Sequence, residues 1–131
     1  MADPSDPSGP LERLDEITRR LRRECPWDRE QDARSIVPHT VEEAGELADA
    51  AERDDTEGML EELGDVLFQV VFLGLLLEER GEGDLAAVVE RLNEKLVRRH
   101  PHVFGDEQAE TVADVRAIWK RVKAEERAGG D

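Results

Sequence analysis

Two pairs of acids carry the strongest chemical signal in this chain. Glu43 and Glu46 stand three residues apart, and so do Glu62 and Asp65. On a helix that spacing puts each pair on one face, with Cβ atoms about 5–6 Å apart. If the two segments form an antiparallel hairpin turning between Asp55 and Thr56, Glu46 lies opposite Asp65, and Glu43 and Glu62 sit about 4.5 Å from that level. Four carboxylates then converge, which like-charge repulsion opposes unless a cation joins them. Oxygen-only ligands on rigid helices favour a hard divalent ion, Mg²⁺ by default with Mn²⁺ as a substitute, and two Mg²⁺ would balance four carboxylates. The competing reading is solvated acids near helix N-termini, with Glu43 closing a capping box from Thr40. Asp65 fits that reading poorly, because it lies two turns inside a helix and just before an apolar run.

A second cluster has the opposite sign. Arg91, Lys95, Arg98 and Arg99 gather within nine residues, with Lys95 three and four residues from the two arginines. Cations beside a metal-loaded carboxylate patch suit a polyphosphate, whose oxygens Arg and Lys grip; a solvated helix C-terminus is the alternative. Trp119 and Lys123 are four apart and can pair a stacking ring with an ammonium, although Trp119 also falls on an apolar stripe with Val112, Val115 and Val122 and by itself reads more readily as core. Trp27 lies on a segment where helix packing explains an aromatic less readily. His100 and His102 flank Pro101 and either contact phosphate or cap the preceding helix. His39 carries no signal.

Helices must position these groups. Apolar residues recur at three and four over Leu11–Glu24, Thr40–Arg53, Glu57–Glu79, Asp84–Arg99 and from Thr111 to about Arg127, and no period-two strand pattern interrupts them. The expected class is therefore all-α. Residues 25–38 read as an irregular segment opened by Pro26, with a capping signature at Asp28 and Gln31. On the second helix the expected inner stripe is Val41, Ala44, Leu47, Ala48 and Ala51. From Val66 to Leu77 the third is apolar on every side, so in so small a chain its cover should include a second subunit, giving a homodimer or homotetramer. The expected organisation is a disordered tail over 1–10, which holds three of the six prolines, one domain over 11–127 and a frayed end over 128–131.

Composition removes other classes. With 18 Lys plus Arg against 33 Asp plus Glu, the net charge of -15 repels nucleic-acid backbones and anionic membranes. The apolar run of twelve residues is shorter than the roughly twenty that span a bilayer. Cys25 is the sole cysteine, so no intrachain disulfide forms, and a cytoplasmic setting is expected.

Taken together the motifs resemble a known family. Glu42-Glu43-x-x-Glu46 followed after fifteen residues by Glu62-x-x-Asp65 is similar to the EExxE/ExxD signature of MazG nucleoside triphosphate pyrophosphohydrolases. Cys25-Pro26-Trp27-Asp28-x-x-Gln31, the stretch Glu62–Phe72 and the stretch Lys95–Phe104 match as well, so the likeness runs from about Leu11 to Arg127. The resemblance implies an all-α, Mg²⁺-dependent enzyme that cleaves nucleoside triphosphates between the α and β phosphates. It implies Glu43, Glu46, Glu62 and Asp65 as metal ligands, with Glu42 either beside them or acting as base. Lys95, Arg98 and Arg99 would hold the triphosphate, and Trp119, Lys123 and Trp27 would complete the nucleotide site. The reaction expected is attack of a metal-activated water on the α-phosphorus, with a carboxylate taking the proton.

Two features depart from the family pattern: a single module where many members carry two, and Glu24 where Gly usually precedes the Cys-Pro-Trp-Asp motif. Rival readings are a base-selective dUTP or dCTP pyrophosphatase, a phosphoribosyl-ATP pyrophosphohydrolase, and a non-catalytic acidic helical dimer that binds a basic partner.

Overall fold

The computed structural model describes residues 9–129, which form helices α1 (Gly9–Glu24), α2 (Pro26–Glu30), α3 (Ala33–Glu52), α4 (Thr56–Glu79), α5 (Leu85–Arg99), α6 (Pro101–Phe104) and α7 (Val112–Ala128), with no strand among them. They divide into two compact units after Leu85. The tail expected over 1–10 falls outside the described residues except for Gly9 and Pro10, which open α1; of the expected frayed end, Ala128 closes α7 and Gly129 caps it. None of the described helices is long and apolar enough to cross a membrane.

The first unit is an α3–α4 hairpin with α1 and α2 laid against it. Its largest departure from expectation is the start of α3. The chain is not irregular up to Pro38: Asp32 caps the helix, accepting from the Ser35 amide at 2.9 Å while the Ser35 hydroxyl accepts from the Asp32 amide at 2.8 Å. Pro38 then sits inside α3, where it has no N–H to give to the carbonyl of Arg34, a loss the packing of Ile36 outweighs. The capping signature expected at Asp28 and Gln31 is replaced by the short α2, whose Gln31 closes the C-terminus and whose Asp28 is buried.

This longer α3 also changes which face looks inward. Ile36, Thr40, Glu43, Leu47 and Ala50 recur at four and three and are buried or half-buried, whereas Val41, Ala44, Ala48 and Ala51 are exposed. On α4 the matching stripe is Met59, Glu62, Val66, Gln69, Leu73 and Leu76. Ile36, Phe72 and Leu76 form the centre of the core, with Phe68 and Leu73 against it. Thr40 donates its hydroxyl to Gln69 Oε1 at 3.5 Å, a polar pair shared by the two helices.

The turn that joins the helices needs one left-handed residue, Asp54 at φ 54°, which an aspartate tolerates better than most side chains. Asp55 then caps α4 by accepting from the Gly58 amide at 3.0 Å; a Cβ on Gly58 would stand 2.5 Å from the Asp55 carboxylate and would push that cap aside. Arg22 ties α1, α2 and α4 together. Its guanidinium donates to the carbonyls of Asp28 and Gln31 at 2.5 and 2.9 Å, pairs in bidentate fashion with Glu79 at 2.9 and 3.0 Å, and lies 5.6 Å from the centre of the Phe72 ring.

The all-round apolar character of α4 divides in two. Val71, Phe72, Leu75 and Leu76 are buried, while Leu60, Leu63, Leu67 and Val70 form a second stripe that stays 64%, 50%, 40% and 39% exposed.

In the second unit, Thr111 caps α7 through the expected box with Asp114, each side chain accepting from the other residue's amide at 3.1 Å. Ile118 and Val122 are its buried positions. Pro101 does not simply stop α5 but opens the single turn α6.

Candidate active site

Glu43 and Glu62 belong to the inner stripes of their helices, at positions that a purely structural hairpin would fill with apolar residues. Neither is a helix-end acid. Glu43 lies eleven residues beyond its cap Asp32, which removes the capping role considered for it with Thr40, and Glu62 lies seven beyond Asp55. Glu43, Glu62 and exposed Asp65 each present a carboxylate oxygen, and the three oxygens lie within 4.8 Å of one another. Glu46 adjoins Glu43 and Glu62. The expected facing of Glu46 and Asp65 is therefore shifted, with Glu43 taking that place. The physical reason is the turn: α3 ends at Glu52 and α4 starts at Thr56, which centres the hairpin on Asp54 rather than between Asp55 and Thr56.

Electrostatics mark this cluster as unsatisfied. Oε2 of Glu43 and Oε2 of Glu62 are both buried without a hydrogen-bond partner, a costly state for acceptors that could otherwise be hydrated. Removal from water first, then the crowding of the Glu43 and Glu46 carboxylates against it, push Glu62 up to about 7. Glu43 is raised as well, by desolvation first. An oxygen donor set that is crowded, unpaired and reluctant to ionise is what a divalent cation relieves. Beside it, Glu46, Asp49, Arg53, Gly58, Glu61 and Glu62 line a cavity of about 430 Å³. Glu42 is exposed on α3.

A second candidate cavity, of about 350 Å³, lies wholly within the second unit and is lined by Lys95, Leu96, Arg99, His100, Trp119 and Lys123. Four residues expected from the sequence thus meet at one pocket, and Trp119 lines it rather than joining the core, since α7 turns Ile118 and Val122 inward instead. Arg98 does not line this pocket. It borders a separate one with Arg121 and Glu107. His100, read from the sequence as a phosphate contact or a cap, lines it as well: its ring stands edge-on to Trp119 at 5.5 Å and 80°, with Nδ1 2.5 Å from the Leu96 carbonyl oxygen.

Trp27 is 47% exposed at the start of α2, edge-on to the His39 ring at 5.6 Å, and its carbonyl accepts from the Gln31 amide group at 2.9 Å. It lies in the first unit.

Residues 31–104 match the MazG nucleotide pyrophosphohydrolase domain. The chain is 46% identical over 121 residues to the nucleoside triphosphate pyrophosphohydrolase of Escherichia coli K12, covering 90% of this chain and 46% of that protein. It is 45% identical over 103 residues to the nucleoside triphosphate pyrophosphohydrolase/pyrophosphatase MazG of Thermotoga maritima, covering 79% and 39%. The chain thus spans less than half the length of these relatives. A crystal structure of a mazG-related protein from Thermotoga maritima superposes with a TM-score of 0.72 at 28% identity, over 86% of this chain and 98% of that one. On its motifs, its all-helical fold and the matched segment that contains both acid pairs, the chain belongs to the MazG nucleotide pyrophosphohydrolase domain family.

Proposed function

We propose that this chain hydrolyses nucleoside triphosphates at the α–β phosphoanhydride, releasing a nucleoside monophosphate and pyrophosphate, and that it does so with Mg²⁺ in a cytoplasmic, nucleotide-pool-cleaning role. The observation that carries the reading is the pair of buried, unpartnered carboxylate oxygens on Glu43 and Glu62, gathered with Asp65. The names of the relatives support the reaction class.

Glu43, Glu46, Glu62 and Asp65 would hold the metal, and their donor chemistry suits Mg²⁺, with Mn²⁺ able to substitute. A bound divalent ion supplies a more acidic water and a counter-charge for phosphate oxygens. Within the protein, the four carboxylates orient that centre, and Glu42 or a neighbouring carboxylate accepts the proton of the attacking water. Lys95, Arg99 and Lys123 grip phosphate oxygens, and Trp119 offers its face to the base. Arg98 and Trp27 take secondary substrate contacts.

A second copy of the chain would cover the Leu60, Leu63, Leu67 and Val70 stripe, forming a homodimer or homotetramer.

Incubation with a panel of nucleoside triphosphates and Mg²⁺, followed by product separation, tests the reaction. Monophosphate plus pyrophosphate is expected, and diphosphate plus phosphate would overturn it. Glu46→Ala and Asp65→Ala should each abolish turnover while the fold stays intact or becomes stabler, because a repelling charge is gone. Near-normal rates at saturating Mg²⁺ would remove the ligand assignment.

A further inference from the structure

Arg99, which lines the Trp119 pocket, is paired with Glu126, an acid two turns along α7 from Trp119. Trp119, Lys123 and Glu126 recur at four and three, so one face of α7 presents a ring, an ammonium and a carboxylate in succession. The carboxylate is committed to arginine. Glu126 Oε1 accepts from Arg99 Nη2 at 2.9 Å and Oε2 accepts from Arg99 Nε at 3.4 Å, while Oε2 also accepts from Arg98 Nε at 2.5 Å. Its side chain is 24% exposed and that of Arg99 is 27% exposed, so the pair is partly shielded from solvent.

The guanidinium has a fixed fork of five donors. Glu126 takes the edge formed by Nε and Nη2, and Nη1 projects away from that edge. An arginine clamped along one side can offer the other to an anion without the entropy loss that ordering a free long side chain entails.

We propose that Glu126 is a positioning residue that orients Arg99 toward a phosphate of the nucleoside triphosphate. This rests on the reading of the Lys95, Arg99, Trp119 and Lys123 pocket as the substrate site, and it adds a residue that does not itself touch substrate. Its charge alone would repel the triphosphate, so the two possible roles of Glu126 predict opposite signs. A mere competitor for Arg99 weakens binding by being present, and a positioning group strengthens it.

The test is calorimetric binding of an α,β-methylene nucleoside triphosphate with Mg²⁺ to the full chain, for Glu126→Ala, Glu126→Gln, Arg99→Ala and the double variant, with circular dichroism to verify folding. Glu126→Ala should weaken binding about tenfold, and Glu126→Gln, which keeps one acceptor, should weaken it less. Arg99→Ala should then cost no more than about twofold in the Glu126→Ala background, because the two residues act as a unit. In turnover, KM should rise with little change in kcat. Unchanged or tighter binding by both Glu126 variants, or an undiminished cost of Arg99→Ala in the double variant, overturns the positioning role. If Arg99→Ala by itself leaves binding unchanged, the pocket assignment fails first and this role fails with it.

Discussion

Glu62 should make the proposed metal site a pH-dependent one, and the size of the effect follows from its environment. Its carboxyl is raised from 4.5 to about 7 by desolvation first and then by the crowding and charge of Glu43 and Glu46. A divalent ion binds the ionised form, so its apparent affinity follows the ionised fraction. With an ionisation midpoint near 7, that fraction is roughly one-tenth at pH 6 and nine-tenths at pH 8, so affinity should rise about tenfold across the interval. Glu43, raised in the same direction, steepens the dependence. Calorimetric titration of the full chain with Mn²⁺ or Mg²⁺ at pH 6, 7 and 8 measures it.

The metal-free protein should show the mirror image. In the unfolded chain Glu62 ionises near 4.5, whereas the folded chain keeps the proton up to about 7. Between those values the folded state binds more protons than the unfolded one, so stability falls as pH rises through the window and levels off above it. Glu62→Gln removes this contribution, and the difference in stability between wild type and variant should therefore shift in favour of the variant as pH rises from 4.5 to 7. Saturating Mg²⁺ at pH 8 should raise the melting temperature of wild type and leave that of Glu62→Gln little changed. A metal affinity that is flat from pH 6 to 8, or a wild-type-minus-variant stability that grows with pH, would refute the account.

Phe72 is fully buried against Ile36 and Leu76, so Phe72→Ala should lower unfolding free energy by about 3–5 kcal/mol in a urea titration. Leu67→Asp, on the exposed stripe of α4, should shift the sedimentation coefficient toward that of a monomer; an unchanged oligomer would place the interface elsewhere. Arg22→Ala removes the donors that hold the Asp28 and Gln31 carbonyls and should cost about 2 kcal/mol, with faster amide exchange concentrated over residues 26–31.

Helix existence was legible wherever an apolar period and a cap agreed. The Thr111–Asp114 box placed the start of α7, and the turn expected at Asp55 and Thr56 with the apolar run beyond it placed α4. The start of α3 was hidden because Pro38 reads as a break, although Ile36, Thr40, Glu43, Leu47 and Ala50 carry the helical spacing straight through it. The same stripe misled a reading by hydrophobicity alone. Val41, Ala44, Ala48 and Ala51 are the apolar choices, yet α3 turns an acid inward in their place. The acid quartet was readable from spacing because helices fix intervals of three. Its register was not, because one residue of turn moves every cross-helix neighbour. Nothing in the spacing pointed to Glu126, whose partner Arg99 lies on a different helix.

Two glutamates occupying interior seats of a hairpin leave that hairpin short of the grease a scaffold of its size would otherwise use. Leucines in both seats would make a sturdier and chemically silent object. On the proposed metal reading the protein is thereby tied to its mineral supply: a shortage of divalent ion would silence the chemistry and, by the same lack of counter-charge, would loosen the seam between α3 and α4.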